Sequence, residues 1–378
     1  MRAQSPKVPV LLAVAAFVLV VLALVLTGCS VSDAPGSPFA SPFDEAVERG
    51  VIRDSEEVSA ETEGALVAAE SGSVWTMDHG DYECGCGDVA SAASAAADAA
   101  GPVRLVCSCA APRYTFVNRI DPESGERTGR LRLEGSDILD LERVGGSPWI
   151  VSEAEIAALG QNGEDDAAER SVQIGRLSGG EYVNAADYGG GHVWLAGHRG
   201  TVSRLSPGDD TPSPVARLGV GVSDIAVDES AVWVASGRGF EKGRKAINGL
   251  TRLDPESGEV VSEVRIEAGK PAGGPGDVAV DEDTGSVWTA SNNGKLLQID
   301  PGTNEVMSQK KLGDYARIEA AREGSVWVNV LEPDGKLVRV DGETGEVVGS
   351  IRTSVSGAAA SGDHLWVMRD DRLFRLTV

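Results

Sequence analysis

The chain has 378 residues, with 34 Lys and Arg against 58 Asp and Glu, a formal net charge of −24 at pH 7. So acidic a surface repels phosphate backbones, which excludes a nucleic-acid partner without a local basic patch. With 47 Gly and 17 Pro beside 42% hydrophobic residues, the composition favours many short strands and tight turns over long helices.

Residues 1–29 read MRAQSPKVPVLLAVAAFVLVVLALVLTGC. Arg2 and Lys7 precede an uncharged apolar run from Val8 to Leu26, long enough to cross a bilayer. The run ends in Leu26-Thr27-Gly28-Cys29, which resembles the lipobox of bacterial lipoprotein signal peptides. That resemblance implies a signal peptide over 1–28, general export, and a diacylglycerol with palmitate-type acyl chains on Cys29. The alternative is an uncleaved anchor helix. Either way residues 30–378 are expected at the cell membrane on its extracytoplasmic side, with the membrane itself as a partner through the lipid. Residues 29–45, rich in Pro and Ser, are expected to be an extended tether.

The seven Trp recur in one local phrase: SVWTM, SPWIV, HVWLA, AVWVA, SVWTA, SVWVN and HLWVM. Trp194 and Trp233, Trp288 and Trp327, and Trp327 and Trp366 are each 39 residues apart. Each unit reads as four short runs, as in DIAVD, AVWVA, GLTRLD and EVVSEVRI. The last two runs are joined by DPESGE (121–126 and 254–259), DPGTNE (300–305) or DGETGE (341–346). In the first three, Pro behind the leading acid suits a hairpin turn, and in all four the late Gly or Asn tolerates positive φ. The recurrence of these acids at every hairpin tip points to turn chemistry, not to calcium ligation.

Four antiparallel strands in each repeat of about 40 residues predict β-propeller blades. The expected fold over 46–378 is all-β: a seven-bladed β-propeller of four-stranded antiparallel blades. Each Trp strand should be covered on both faces, with the Trp filling the gap between blades. The last unit ends one strand short, while a strand-like GVIRD at 50–54 precedes the first. Residues near 47–54 are therefore expected to pair with 372–377, so that an N-terminal strand closes the ring. The x-V-W-V-x strands, Arg119 to Pro122, Arg252 to Pro255 and Gln298-Ile299-Asp300-Pro301 resemble bacterial propellers of the YVTN-repeat and virginiamycin B lyase-like kind.

Two insertions depart from the repeat. The larger, 79–113, contains Cys84-Gly85-Cys86 and Cys107-Ser108-Cys109, with an Ala-rich helix expected over 89–100. Exported and so closely spaced, the four Cys favour two disulfides over a tetrathiolate metal site, with three connectivities open. The other insertion, 237–248, gathers Arg238, Lys242, Arg244 and Lys245, a candidate docking loop for an anionic ligand or acidic partner. Both are expected on one face. Four residues beyond the successive Trp lie His79, Glu153, His198, Gly237, Asn292, Leu331 and Asp370. Of these, Asp370, His79, Glu153 and His198 form a candidate binding arc across adjacent repeats. His192 and His364 read as strand-edge residues.

No catalytic motif, cofactor or resident metal is expected. The domain is expected to be a monomeric binding or interaction module for an envelope protein or anionic ligand. The alternative is an extracytoplasmic lyase or hydrolase of the virginiamycin B lyase-like kind acting at one propeller face. That resemblance implies metal-assisted elimination by His and acidic residues, none of which is matched to a position here.

Overall fold

A computed structural model describes residues 41–58, 65–70, 73–79, 83–87, 106–110, 114–134, 138–144, 147–152, 155–158, 170–174, 176–206, 208–239, 248–266, 274–281, 283–332 and 335–378. The apolar segment, Cys29 and most of the tether lie outside them. Among the described residues no helix is long and apolar enough to cross a membrane.

The described strands form seven four-stranded antiparallel sheets and one two-stranded ribbon. Sheet one holds Ala65–Glu70, Ser73–His79, Tyr114–Ile120 and Arg127–Glu134. Sheet two holds Ile138–Val144, Ser147–Ser152, Glu155–Ala158 and Arg170–Gln173. Sheet three is Val183–Gly189, His192–Gly197, Thr201–Leu205 and Ser213–Arg217. Sheet four is Val220–Val227, Val232–Gly239, Gly249–Leu253 and Val260–Arg265. Sheet five is Pro275–Val280, Val287–Ser291, Lys295–Asp300 and Glu305–Lys311. Sheet six is Asp314–Arg322, Ser325–Glu332, Lys336–Asp341 and Val347–Ile351. The seventh takes Gly357–Ser361, His364–Arg369 and Arg372–Thr377 from the end of the chain and Asp54–Val58 from its beginning. First strands of successive sheets lie against one another, and that of sheet seven returns to that of sheet one. This is a β-propeller.

The Trp residues account for the packing between sheets. Trp194 of sheet three clusters with Val220 and Ile225 of sheet four, and Trp233 with Val278 and Val287 of sheet five. Trp288 meets Val326 and Val328, Trp327 meets Leu365 and Val367, and Trp366 meets Val74 and Ile120. Trp75 packs on Ile150 and Ala157. A second strand apolar on both faces is what such packing needs, because its alternate residues face the sheet behind.

An arginine lies opposite most of these Trp on the third strand, and its guanidinium covers the indole. Trp194 pairs with Arg204, Trp233 with Arg252, Trp327 with Arg339 and Trp366 with Arg375. The guanidinium carbons lie 5.3–5.9 Å from the ring centroids, within cation–π range. Three of them then reach into the next sheet's hairpin. Arg204 donates to the Pro255 carbonyl at 2.9 Å and Arg375 to that of Pro122 at 3.2 Å. Arg252 donates to the Pro301 carbonyl in the same way. In sheet five Gln298 replaces Arg and donates to Gly342 and Glu343.

The hairpin acids are turn formers, as expected. Asp121 Oδ1 accepts from the amides of Glu123 and Ser124 and from the Ser124 hydroxyl, and Asp254 repeats this with Glu256 and Ser257.

The chain's entry into the propeller differs from expectation. Residues 42–45, assigned to the tether, belong to a short helix, Pro42–Glu48, and the compact unit begins at Pro42. Phe43 and Ala46 are buried, and the Phe43 ring lies 4.8 Å from that of Phe374. Val51 and Ile52 enter the same cluster between sheets six and seven instead of forming a strand. The closing strand is Asp54–Val58, paired from Asp54–Thr377 to Val58–Leu373. The pairing partner is the expected one, but the strand begins later. An outer edge strand needs little apolar surface, so the charged DSEEV serves and Val51 and Ile52 fill the core.

Candidate functional site

Connections from the second to the third strand, and entries to the first strand, emerge on one face of the propeller. Both insertions leave from it. The ribbon Glu83–Gly87 with Val106–Ala110 arises between the second and third strands of sheet one. The helix expected over 89–100 lies outside the described residues. Arg238 pairs through its backbone with Gly221 near the end of its strand. Lys242, Arg244 and Lys245 lie outside the described residues.

In sheet three this face carries a built aromatic pair. Tyr182 precedes the first strand and His198 follows the second. Their rings stack at 3.9 Å with an interplanar angle of 4°. The His198 amide donates to the Tyr182 carbonyl at 3.3 Å. Beneath them Glu181, 1% exposed, accepts from the amides of Arg199 and Thr201 and from the Thr201 hydroxyl. Gly197 leaves the room this needs, since a Cβ there would stand 2.5 Å from the Glu181 carboxylate. Tyr182 remains 42% exposed, and the His198 Nδ1 is buried with no hydrogen-bond partner among the described residues. Tyr315 at the start of sheet six and Leu331 near the end of its second strand are each 52% exposed on the same face.

The expected arc is only partly described. His79 ends its strand, Ser73–His79, at this face, and Glu153 lies outside the described residues. Asp370, in the turn after His364–Arg369, is an exposed carboxylate 3.1 Å from the guanidinium of Arg369. His198 and Asp370 stand on sheets three and seven, and each meets a neighbour from its own sheet. His192 and His364 sit at strand starts toward the other face. Burial lowers the pKa of His192, and His364 packs edge-on against Trp366. Among the described residues no group of three or more His, Cys, Asp or Glu is placed to hold a metal.

Two features escaped the sequence reading. Tyr182 and Tyr315 are single residues outside any periodic pattern, and Leu331, though it occupies a position four beyond a Trp, is marked only by its exposure in the fold. The second was legible. In Ser223-Asp224-Ile225-Ala226-Val227 and Gly276-Asp277-Val278-Ala279-Val280 an acid recurs in the first strand. Each such acid accepts an amide from the next sheet: Asp224 from Val278 at 2.9 Å and Asp277 from Ile318 at 3.0 Å. Asp187 does the same with Val227, and Glu319 with Ala358 at 3.2 Å. Burial raises Asp277 to about 6 and also raises Glu319.

On the opposite face, where sheet six meets sheet seven, a cleft of about 180 Å³ is lined by Arg53, Arg322, Arg339, Glu323 and Asp363. It carries charges of both signs.

These features define a β-propeller with one elaborated face. Searches against known protein families and curated proteins find no match. Among solved structures the chain is similar to the crystal structure of the Myceliophteria thermophila Cps50 (Swd1) β-propeller domain. The TM-score is 0.58 at 10% identity, covering 86% of this chain and 99% of that one. At that identity the likeness is one of fold.

Proposed function

We propose that this protein is a lipid-anchored, extracytoplasmic interaction module whose propeller binds an envelope partner through the elaborated face. Each of the seven sheets is taken as one blade, giving a seven-bladed propeller of the YVTN-repeat kind. Cys29 at the end of an apolar run supports the anchor. The observation that carries the binding reading is the concentration on one face of both insertions with the exposed Tyr182, Tyr315 and Leu331. Exposed aromatic side chains are favoured anchors at protein interfaces.

The test is site-specific photo-crosslinking in intact cells. A crosslinker at Tyr182 or Tyr315 should capture one discrete envelope protein. The same group at Glu256, on a hairpin of the opposite face, should not. Equal capture from both faces, or none from Tyr182 and Tyr315, overturns the reading. Cys29→Ser should release the protein from the membrane fraction.

A further inference from the structure

We propose that the sheet-one insertion is closed by two cross-strand disulfides, Cys84–Cys109 and Cys86–Cys107, stacked along one face of its ribbon. The ribbon pairs Glu83 with Ala110, Cys84 with Cys109, Gly85 with Ser108, Cys86 with Cys107 and Gly87 with Val106. Residues directly opposite in an antiparallel pair have Cα atoms about 4.5–5.5 Å apart. A disulfide spans about 4.4–6.8 Å between Cα atoms and cannot bridge more than about 7 Å without backbone movement. Both opposed pairs meet that requirement.

The two other connectivities fail on the same geometry. The diagonal pairs Cys84 with Cys107 and Cys86 with Cys109 are offset by two residues, about 7–8 Å apart. Pairing within a strand would join positions two residues apart, about 6.8 Å by strand rise. Their Cβ atoms leave the strand in parallel, whereas a disulfide needs them at about 3.8 Å. Positions two apart share a hydrogen-bonding type, so both rungs have the same local geometry. The rung between them is Gly85 with Ser108, two of the smallest side chains.

Each bridge forms by exchange with a disulfide donor. One Cys thiolate displaces a thiolate from the donor, and the second Cys thiolate resolves the mixed disulfide. The two thiols lose two electrons and two protons, and the donor leaves as two thiols. In the cell this rests on the extracytoplasmic reading for an oxidising compartment. In vitro a defined donor makes the test independent of that reading.

The full chain is reduced, reoxidised with glutathione disulfide, alkylated and cut with trypsin without reductant. Arg104 separates the two cysteine pairs in sequence, so fragments 54–104 and 105–113 should remain joined and separate on reduction. In C84S/C109S the fragments should stay joined through Cys86 and Cys107. In C84S/C107S the remaining Cys86 and Cys109 lie on a diagonal and should both be alkylated. Three results overturn the proposal: separate fragments each carrying an internal bridge, a bridge retained in C84S/C107S but lost in C84S/C109S, or four alkylated cysteines. Stoichiometric zinc in the purified wild-type chain also overturns it.

Discussion

Arg339 of sheet six donates through Nη1 to the carbonyl oxygen of Val51 at 3.0 Å, while its guanidinium covers Trp327. In sheets three, four and seven the corresponding arginine reaches the hairpin of the next sheet. The seventh sheet has no such hairpin, because its outer strand comes from the start of the chain. Val51 supplies the carbonyl instead, so the joint between sheets is preserved across the junction of the two chain ends.

Arg339→Ala should therefore weaken the whole propeller. Losing a cation–π contact costs about 0.5–2 kcal/mol. A hydrogen bond to a charged donor adds about 1.5–3 kcal/mol, toward the lower end here because Arg339 is half-buried. Thermal unfolding should fall by several degrees. Arg265→Ala, on an exposed outer strand, should shift it hardly at all. Equal shifts in the two variants would show that the joint contributes nothing.

Phe43→Ala tests the helix that leads into the ring. Phe43 is 1% exposed and packs against Phe374. Truncating such a side chain costs about 3–5 kcal/mol. Removal of residues 42–58 should do more, because it strips the edge from sheet seven and the carbonyl from Arg339. A cooperative melt at the wild-type temperature after that deletion would mean the ring closes without this segment.

Closure was legible in the sequence as a missing strand at one end and a surplus at the other. Its position was not. Val51 and Ile52 look like strand residues because they are apolar, yet they are apolar because they fill the core between sheets. The true edge strand is mostly charged, and of its five residues only Val58 is buried. Phe43, Ala46 and Val47 have helical spacing, but Pro and Ser on either side made the segment read as a tether. The Trp strands were legible because burial on both faces leaves a solid apolar phrase. Tyr182 and His198 meet only through the fold, across two strands and the turn between them, and no local pattern records that.

The turn acids make a prediction about titration. Hydrogen bonds from the Ser124 amide and hydroxyl hold Asp121 below the usual carboxylate range, and Ser257 does the same for Asp254. Thr344 plays this part for Asp341, with its hydroxyl the larger influence. Replacing Ser257 by Ala should move the Asp254 titration upward in an NMR pH series and leave Asp121 and Asp341 unchanged. An unmoved Asp254 would mean that the amide bonds alone set its acidity.

The inner-strand acids predict the opposite pH dependence. Asp277 lies half-buried, and its removal from water favours the protonated form, raising it from 3.8 to about 6. The Ile318 amide and Arg317 pull it down less strongly, and Glu319 adds to the rise. Between those two values the folded state holds a proton that the unfolded state has released. Stability from this group is therefore present below about pH 4 and is lost as pH rises through about 6. A rise of about 2 pK units corresponds to roughly 3 kcal/mol at most. Asp277→Asn keeps an oxygen to accept from Ile318 and removes the charge. The variant should melt above wild type at pH 7, and the difference should vanish toward pH 4. Because the turn acids are common to both proteins, the difference between the two melting curves isolates Asp277. A variant less stable than wild type at pH 7 would mean that the ionised carboxylate holds sheets five and six together better than a neutral amide does.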